Sequence, residues 1–195
     1  MKLVGSIGKD AVYRAINRKT GRLVWERVIT HTPTVFGGPS AAYHDKVIYV
    51  VASSDIDPNT QDAEGNQIAY PVPIQGYAES QGDDFFGTVQ SWTKSKTIIK
   101  ALNACNGDEI WSITVPHVMW ANLTIANGVL YAGSFGGQLY GIDSSNGSIL
   151  ATYEMPLQET GGFFPSNCSI PTGPIVLDGV LYANYTSFIS VPSGV

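Results

Sequence analysis

Three segments of this 195-residue chain superimpose on one another, and that repetition limits the possible folds more than any other feature. They are Tyr13–Trp25, Ile99–Trp111 and Leu139–Ala151. Each reads as strand, turn, strand. A small residue (Ala15, Ala101, Gly141) stands where a neighbouring sheet must come close. Asn17, Asn103 or Asp143 then opens the turn, because its side chain can accept a hydrogen bond from the backbone two residues on. Gly21, Gly107 or Gly147 provides the positive φ with which the chain reverses. Trp25 and Trp111 close the first two copies with a ring large enough to wedge between adjacent sheets; the third copy has Ala151 in that place.

A second motif alternates with the first. His44–Val50, Ala126–Ala132 and Leu177–Ala183 each read as a hairpin whose second strand carries a tyrosine (Tyr49, Tyr131, Tyr182). Their turns are Asp45-Lys46, Asn127-Gly128 and Asp178-Gly179. Together the two motifs supply four strands per repeat. Gly107 and Gly147 are 40 residues apart, and Asn127 and Asp178 are 51 apart. A four-stranded unit of about 40–50 residues is a propeller blade. The expected fold is therefore all-β: a partial β-propeller of four-stranded antiparallel blades, about four blades' worth over residues 1–195, beginning inside one blade and ending inside another. The interval between Asp45 and Asn127 is stretched to 82 residues. Its excess, residues 53–97, is acidic and rich in turn formers, and reads as a long insertion within one blade.

Composition agrees and excludes several classes. Charged residues are only 14% of the chain and the net charge is −5, with basic residues grouped only at Arg14, Arg18, Lys19 and Arg22. A nucleic-acid partner is disfavoured, since no basic face is in prospect to displace counterions from phosphates. No apolar run reaches the ~18 residues of a membrane-spanning helix. The opening Met1–Ser6 lacks the apolar core of a leader peptide. Sequons at Asn122, Asn146, Asn167 and Asn184 point to a secreted protein, or with the fold a periplasmic one. Cys105 and Cys168 have no metal-ligand spacing and are read as two buried thiols or, alternatively, one long-range disulfide.

The pattern Ala-x-Asn/Asp-x-x-x-Gly-x-x-x-Trp, with its partner Asn/Asp-Gly-Val-x-Tyr, resembles the repeat of pyrroloquinoline-quinone (PQQ) quinoproteins. It is most similar to the branch of polyvinyl-alcohol-dehydrogenase-like propellers, in which eight blades close the ring. Val4–Ala15 resembles that branch's lysine-containing strand pair, and Gly37-Gly38-Pro39 and Thr172-Gly173-Pro174 resemble its inner-strand starts. The resemblance covers nearly all of the chain outside residues 53–97. It implies a partner in the form of a missing propeller half or a second copy of the chain. The haem-attachment Cys-x-x-Cys-His and the adjacent Cys-Cys pair of such dehydrogenases are both lacking.

PQQ is a flat quinone tricarboxylate, so a protein that holds it must offer cations, a flat apolar floor and a divalent ion such as Ca2+. Lys9 falls at the position of the family's lysine and is the candidate cation. Trp120 is the candidate for stacking on the ring system, and Asn122 beside it for a polar contact. His31 and His117 fall at equivalent places after a Trp-bearing strand and read as structural histidines. Asp55, Asp57 and Asn59 have the alternating oxygen spacing of a calcium loop, but Thr60 stands where such a loop needs glycine, and they read as a polar loop. No catalytic base and no metal ligands are assigned. Two functions follow from the resemblance: a PQQ-dependent dehydrogenase acting on an alcohol or polyol, or a non-catalytic propeller serving as a binding or scaffold module, as related repeats do in outer-membrane assembly factors. An incomplete fragment without activity of its own is the third alternative.

Overall fold

The computed structural model describes residues 2–8, 10–30, 41–54, 96–117, 119, 121–134, 136–155, 170 and 172–184. Over these residues the regular structure is entirely strand and falls into four sheets. The first holds β1 (Leu3–Ile7), β2 (Val12–Asn17) and β3 (Leu23–Val28). The second holds β4 (Ala42–His44), β5 (Val47–Ser54), β6 (Lys96–Asn103) and β7 (Glu109–Pro116) in sequence order. The third repeats that order with β8 (Thr124–Ala126), β9 (Val129–Gly133), β10 (Gln138–Asp143) and β11 (Ile149–Glu154). The fourth holds β12 (Ile175–Leu177) and β13 (Val180–Tyr182). Every pairing is antiparallel. Each sheet is thus a meander, and the short first strands β4, β8 and β12 lie beside one another where the sheets converge. The array is a partial propeller of about four blades.

Local chemistry sets the strand ends. In the three repeat turns Lys19, Cys105 and Ser145 donate their backbone N–H to the side chains of Asn17, Asn103 and Asp143 at 2.8–2.9 Å. Gly21, Gly107 and Gly147 each return a backbone hydrogen bond to those same residues, with φ between 70° and 80°. The hairpin turns Asn127-Gly128 and Asp178-Gly179 have positive φ at both residues, the geometry that follows strand twist. Asp45-Lys46 adopts the same turn with Lys46 at φ 64°, a conformation that a side chain disfavours. Cys105, expected to be buried, is an exposed free thiol. It occupies the outward turn position that Lys19 and Ser145 hold in the other copies.

Two apolar clusters fill the spaces between blades. Between the first and second lie Tyr13, Ala15, Trp25 and Ile29 from one side and Ile48, Val50, Ala52 and Leu102 from the other. Between the second and third lie Tyr49, Val51, Ile99, Trp111 and Val115, facing Leu130, Ala132, Tyr140 and Ile142. The alternation along each strand sends one face into each cluster. Ala15 and Ala101 are buried, but their place is opposite Trp25 and Trp111 on their own ladder rather than at the point of closest approach between sheets. That point is the turn glycine of the next blade. A Cβ on Gly107 would lie 2.5 Å from the Trp25 ring, and one on Gly147 would lie 2.9 Å from the Trp111 ring. The indole N–H groups are satisfied there too, by Ala104 O at 3.2 Å and Ser144 O at 2.9 Å.

Candidate functional site

In a meander, alternate connections return to the same end of the sheet. The turns β2–β3, β4–β5, β6–β7, β8–β9, β10–β11 and β12–β13 form one rim of the array, here the lower. The connections β1–β2, β3–β4, β5–β6, β7–β8, β9–β10 and β11–β12 belong to the other, upper rim. The sequence candidates fall on upper connections: Lys9 between β1 and β2, Trp120 and Asn122 between β7 and β8. Lys9 and Trp120 themselves lie outside the described residues, as do His31, Asp55, Asp57, Asn59 and Cys168. Asn122 is exposed, and its backbone carbonyl backs onto Gly173, where a Cβ would meet it at 2.7 Å. The start of β12 therefore passes close against the start of β8.

The β7–β8 connection is pinned by a buried relay that the sequence did not announce. Met119 N–H donates to Ser53 Oγ at 2.9 Å. Ser53 Oγ and Thr97 Oγ1 are 2.7 Å apart, and Thr97 Oγ1 donates to His117 O at 2.7 Å. Ser53 and Thr97 are cross-strand partners at the ends of β5 and β6, so two hydroxyls of one ladder hold both sides of residue 118. Thr97 is fully buried, and a hydroxyl in such a place must be hydrogen-bonded. His117 packs on the next blade, since a Cβ on Gly136 would lie 2.2 Å from its ring. The signal available in the sequence was the pair of small hydroxyl residues flanking the insertion.

Among the described residues, two non-glycine residues of this rim have left-handed backbone: Ala11 at φ 56° and His117 at φ 66°. Ala11 is completely buried and is tied by Ile29 N–H to its carbonyl at 2.8 Å. Such strain persists only where surrounding bonds enforce it, and it concentrates at functional positions. Ala11 comes two residues after Lys9, and His117 three before Trp120. Nearby, Asp10 accepts from Arg14 at 2.6 Å and from Val12 N–H at 3.2 Å, and the Arg14 bond holds its carboxyl below the usual range. Arg14 also reaches Glu26 at 3.4 Å.

Comparison with solved structures decides the architecture. BamB from Moraxella catarrhalis matches with a TM-score of 0.57 at 14% identity over 94% of this chain. The quinohemoprotein alcohol dehydrogenase of Pseudomonas putida matches at 0.56, with 14% identity and 94% coverage. A europium-containing methanol dehydrogenase matches at 0.53, with 13% identity and 89% coverage. The fold is that of a PQQ-type propeller. This chain spans 43% of the BamB chain, 32% of the quinohemoprotein and 34% of the methanol dehydrogenase. A computationally designed protein, Ika4, matches at 0.55 with 13% identity, and there the chain spans 80%. No protein-family profile matches the sequence, and no curated protein matches it.

A site for a tricarboxylate would have to supply cations. Among the described residues, Arg14, Arg27 and Lys96 lie on strands toward the upper rim, Arg14 and Arg27 engaged with carboxylates, and Lys100 in mid-strand pairs with Glu109. Lys2, Arg18, Lys19, Arg22 and Lys46 gather at the lower rim turns. Among the described residues no group of three or more His, Cys, Asp or Glu side chains is placed to hold a metal ion.

Proposed function

We propose that this chain forms part of a quinoprotein-type propeller that oxidises an alcohol or polyol with PQQ and Ca2+, the upper rim being its cofactor face. What supports the reading is the strand order: the β1–β2 and β7–β8 connections, whose sequence carries Lys9, Trp120 and Asn122, leave the same end of their sheets, where the described residues Ala11 and His117 have left-handed backbone. PQQ would supply the redox chemistry itself. Lys9 would offer a cation to a carboxylate, Trp120 a flat face and Asn122 an amide. The same reading puts the protein outside the cytoplasm, secreted or periplasmic. Of the other sequon asparagines, Asn146 and Asn184 are exposed, and Asn167 lies outside the described residues.

A second reading, a non-catalytic binding or scaffold propeller, is favoured by the gathering of described cations at the lower rim instead of the upper. Titration with PQQ in the presence of Ca2+, followed by quenching of tryptophan fluorescence, separates the two. The dehydrogenase reading expects saturable binding that weakens about tenfold, roughly 1.4 kcal/mol, in Lys9→Ala. Saturable binding untouched by that substitution removes Lys9 from the site. Absence of saturable binding leaves the scaffold reading.

A further inference from the structure

The dipeptide Asn-Gly occurs three times in this chain, at Asn106-Gly107, Asn127-Gly128 and Asn146-Gly147. It carries a chemistry of its own. The glycine nitrogen can attack the side-chain carbonyl of the asparagine, because no side chain on the glycine stands in the way. In an unfolded chain the three copies are chemically alike. The fold makes them different.

Two copies are restrained at both reacting groups. Gly107 N–H donates to Asn103 O at 2.8 Å and Gly147 N–H donates to Asp143 O at 2.9 Å, so each nitrogen is held. The carboxamides are engaged as well. Asn106 accepts from Asp108 N–H at 3.1 Å and donates to the Asp108 carboxylate at 2.6 Å. Asn146 accepts from Ser148 N–H at 2.8 Å and from the Ser148 hydroxyl, and donates to the Asp143 carboxylate at 3.4 Å. Both glycines are buried, Gly107 under Trp25 and Gly147 under Trp111. A rotation that brings nitrogen to carboxamide must break these bonds beneath a packed ring.

Asn127-Gly128 has none of these restraints. Both residues are exposed, and no atom lies within 4 Å of a Cβ on Gly128. Among the described residues nothing is hydrogen-bonded to the Asn127 carboxamide or to Gly128 N–H. The Gly128 carbonyl accepts from Ser144 N–H at 3.0 Å, a bond that leaves the nitrogen untouched.

We propose that Asn127 is a site of self-modification, through succinimide formation with Gly128. The Gly128 nitrogen gives up its proton and bonds to Asn127 Cγ, while the Cγ–Nδ2 bond breaks and ammonia leaves with that proton. Water then opens the ring on either side. Cleavage between the Gly128 nitrogen and Cγ yields aspartate. Cleavage between that nitrogen and the main-chain carbonyl carbon leaves isoaspartate, with the backbone routed through Cβ and Cγ. The fold receives the two products differently. Asp178-Gly179 builds the same hairpin turn, with φ of 50° and 77° against 51° and 77°, so aspartate fits. Isoaspartate adds a backbone atom to a turn of two residues, which disturbs the pairing of Ala126 with Val129 and the Ser144–Gly128 bond. The effect falls on β8, the strand that lies beside β4 and β12. The inference is independent of PQQ binding.

The test is ageing of the whole folded chain in mildly alkaline buffer, with peptide mapping by mass spectrometry to quantify aspartate and isoaspartate at each Asn-Gly. Asn127 is expected to convert about tenfold faster than Asn106 or Asn146, the factor that one hydrogen bond represents. In concentrated urea the three rates should converge. Equal rates in the folded chain, or a lead for Asn106 or Asn146, overturn the proposal, as does a lead for Asn127 that persists undiminished in urea. Gly128→Lys, the residue type that the same turn carries at Lys46, should suppress conversion by crowding the nitrogen, and an unchanged rate would refute attack from Gly128. Amide exchange at Ser144 should accelerate in the isoaspartate form but not in Asn127→Asp; equal exchange in both would overturn the effect on the turn.

Discussion

Tyr13 occupies the space of the side chain that Gly5 lacks: a Cβ on Gly5 would lie 2.0 Å from the Tyr13 hydroxyl. Gly5 pairs Ala15, the register position that Tyr49 and Tyr131 hold opposite Ala101 and Gly141 in the next two blades. The first blade has moved its aromatic residue from the second strand of the blade to the third. Tyr13 stacks on Trp25 at 5.5 Å between centroids, much as Tyr49 lies 5.9 Å from Trp111. Gly5→Ala should therefore destabilise the chain by about 1–3 kcal/mol through overpacking. Adding Tyr13→Leu, the residue type of Leu139 at the equivalent place, should recover part of that loss. Urea denaturation of both variants measures the coupling, and purely additive effects would refute the exchange.

The turn glycines separate backbone strain from inter-blade packing. Gly21, Gly107 and Gly147 share the left-handed conformation, which costs an L-residue about 1–2 kcal/mol. Gly107→Ala and Gly147→Ala must also displace an indole and should cost about 1–3 kcal/mol more. Gly21→Ala should show the backbone cost alone when the chain is measured by itself at low concentration. Equal losses at all three positions, read from urea midpoints, would mean that the rings do not bear on these glycines.

The relay through Ser53 and Thr97 should be expensive to break. Ser53→Ala leaves the Met119 N–H without its buried acceptor, at a cost of about 1–3 kcal/mol. Amide exchange at Met119 should accelerate more than at Ile99, in the middle of the same sheet. Uniform acceleration across the blade would show a global loss of stability instead of a local release of the connection.

Acid should act on one repeat turn and spare the other two. Asp143 is held below its ordinary value of about 3.8 chiefly by the Ser145 hydroxyl and amide, helped by Asn146. A depressed carboxylate contributes stability that is fully present above its unfolded pKa and is lost as pH falls through the folded value. Asn17 and Asn103, amides at the same place in their turns, carry no such proton. Protection of the Ser145 amide should thus fall below pH 3.8, relative to Lys19 and Cys105, and Asp143→Asn should remove the difference. A parallel fall at all three turns would contradict this account.

The repeat was legible in the sequence because its parts act over a few residues. Asn17, Asn103 and Asp143 bind amides two residues away, and the turn glycines answer a local demand for positive φ. The outward place of Cys105 could have been read the same way, from its alignment with Lys19 and Ser145. Its apolar character pointed inward, yet a turn position outweighs side-chain preference. The Ser53–Thr97 relay was not legible, since the two residues are 44 apart in sequence and meet only when β5 pairs with β6.

By itself the sequence determined an all-β chain of repeating strand–turn–strand units, with tryptophans as wedges and candidate residues spaced along it. Only the tertiary structure decided what each wedge strikes, that the turn glycine of the following blade is its floor, and that among the described residues nothing lies against Gly21. It also decided that the connections bearing Lys9, Trp120 and Asn122 share a rim. Turn chemistry is governed by bonds between near neighbours, which the order of residues specifies directly. Contact between blades depends on how whole sheets pack, where the same motif is buried or exposed according to whether another blade lies against it.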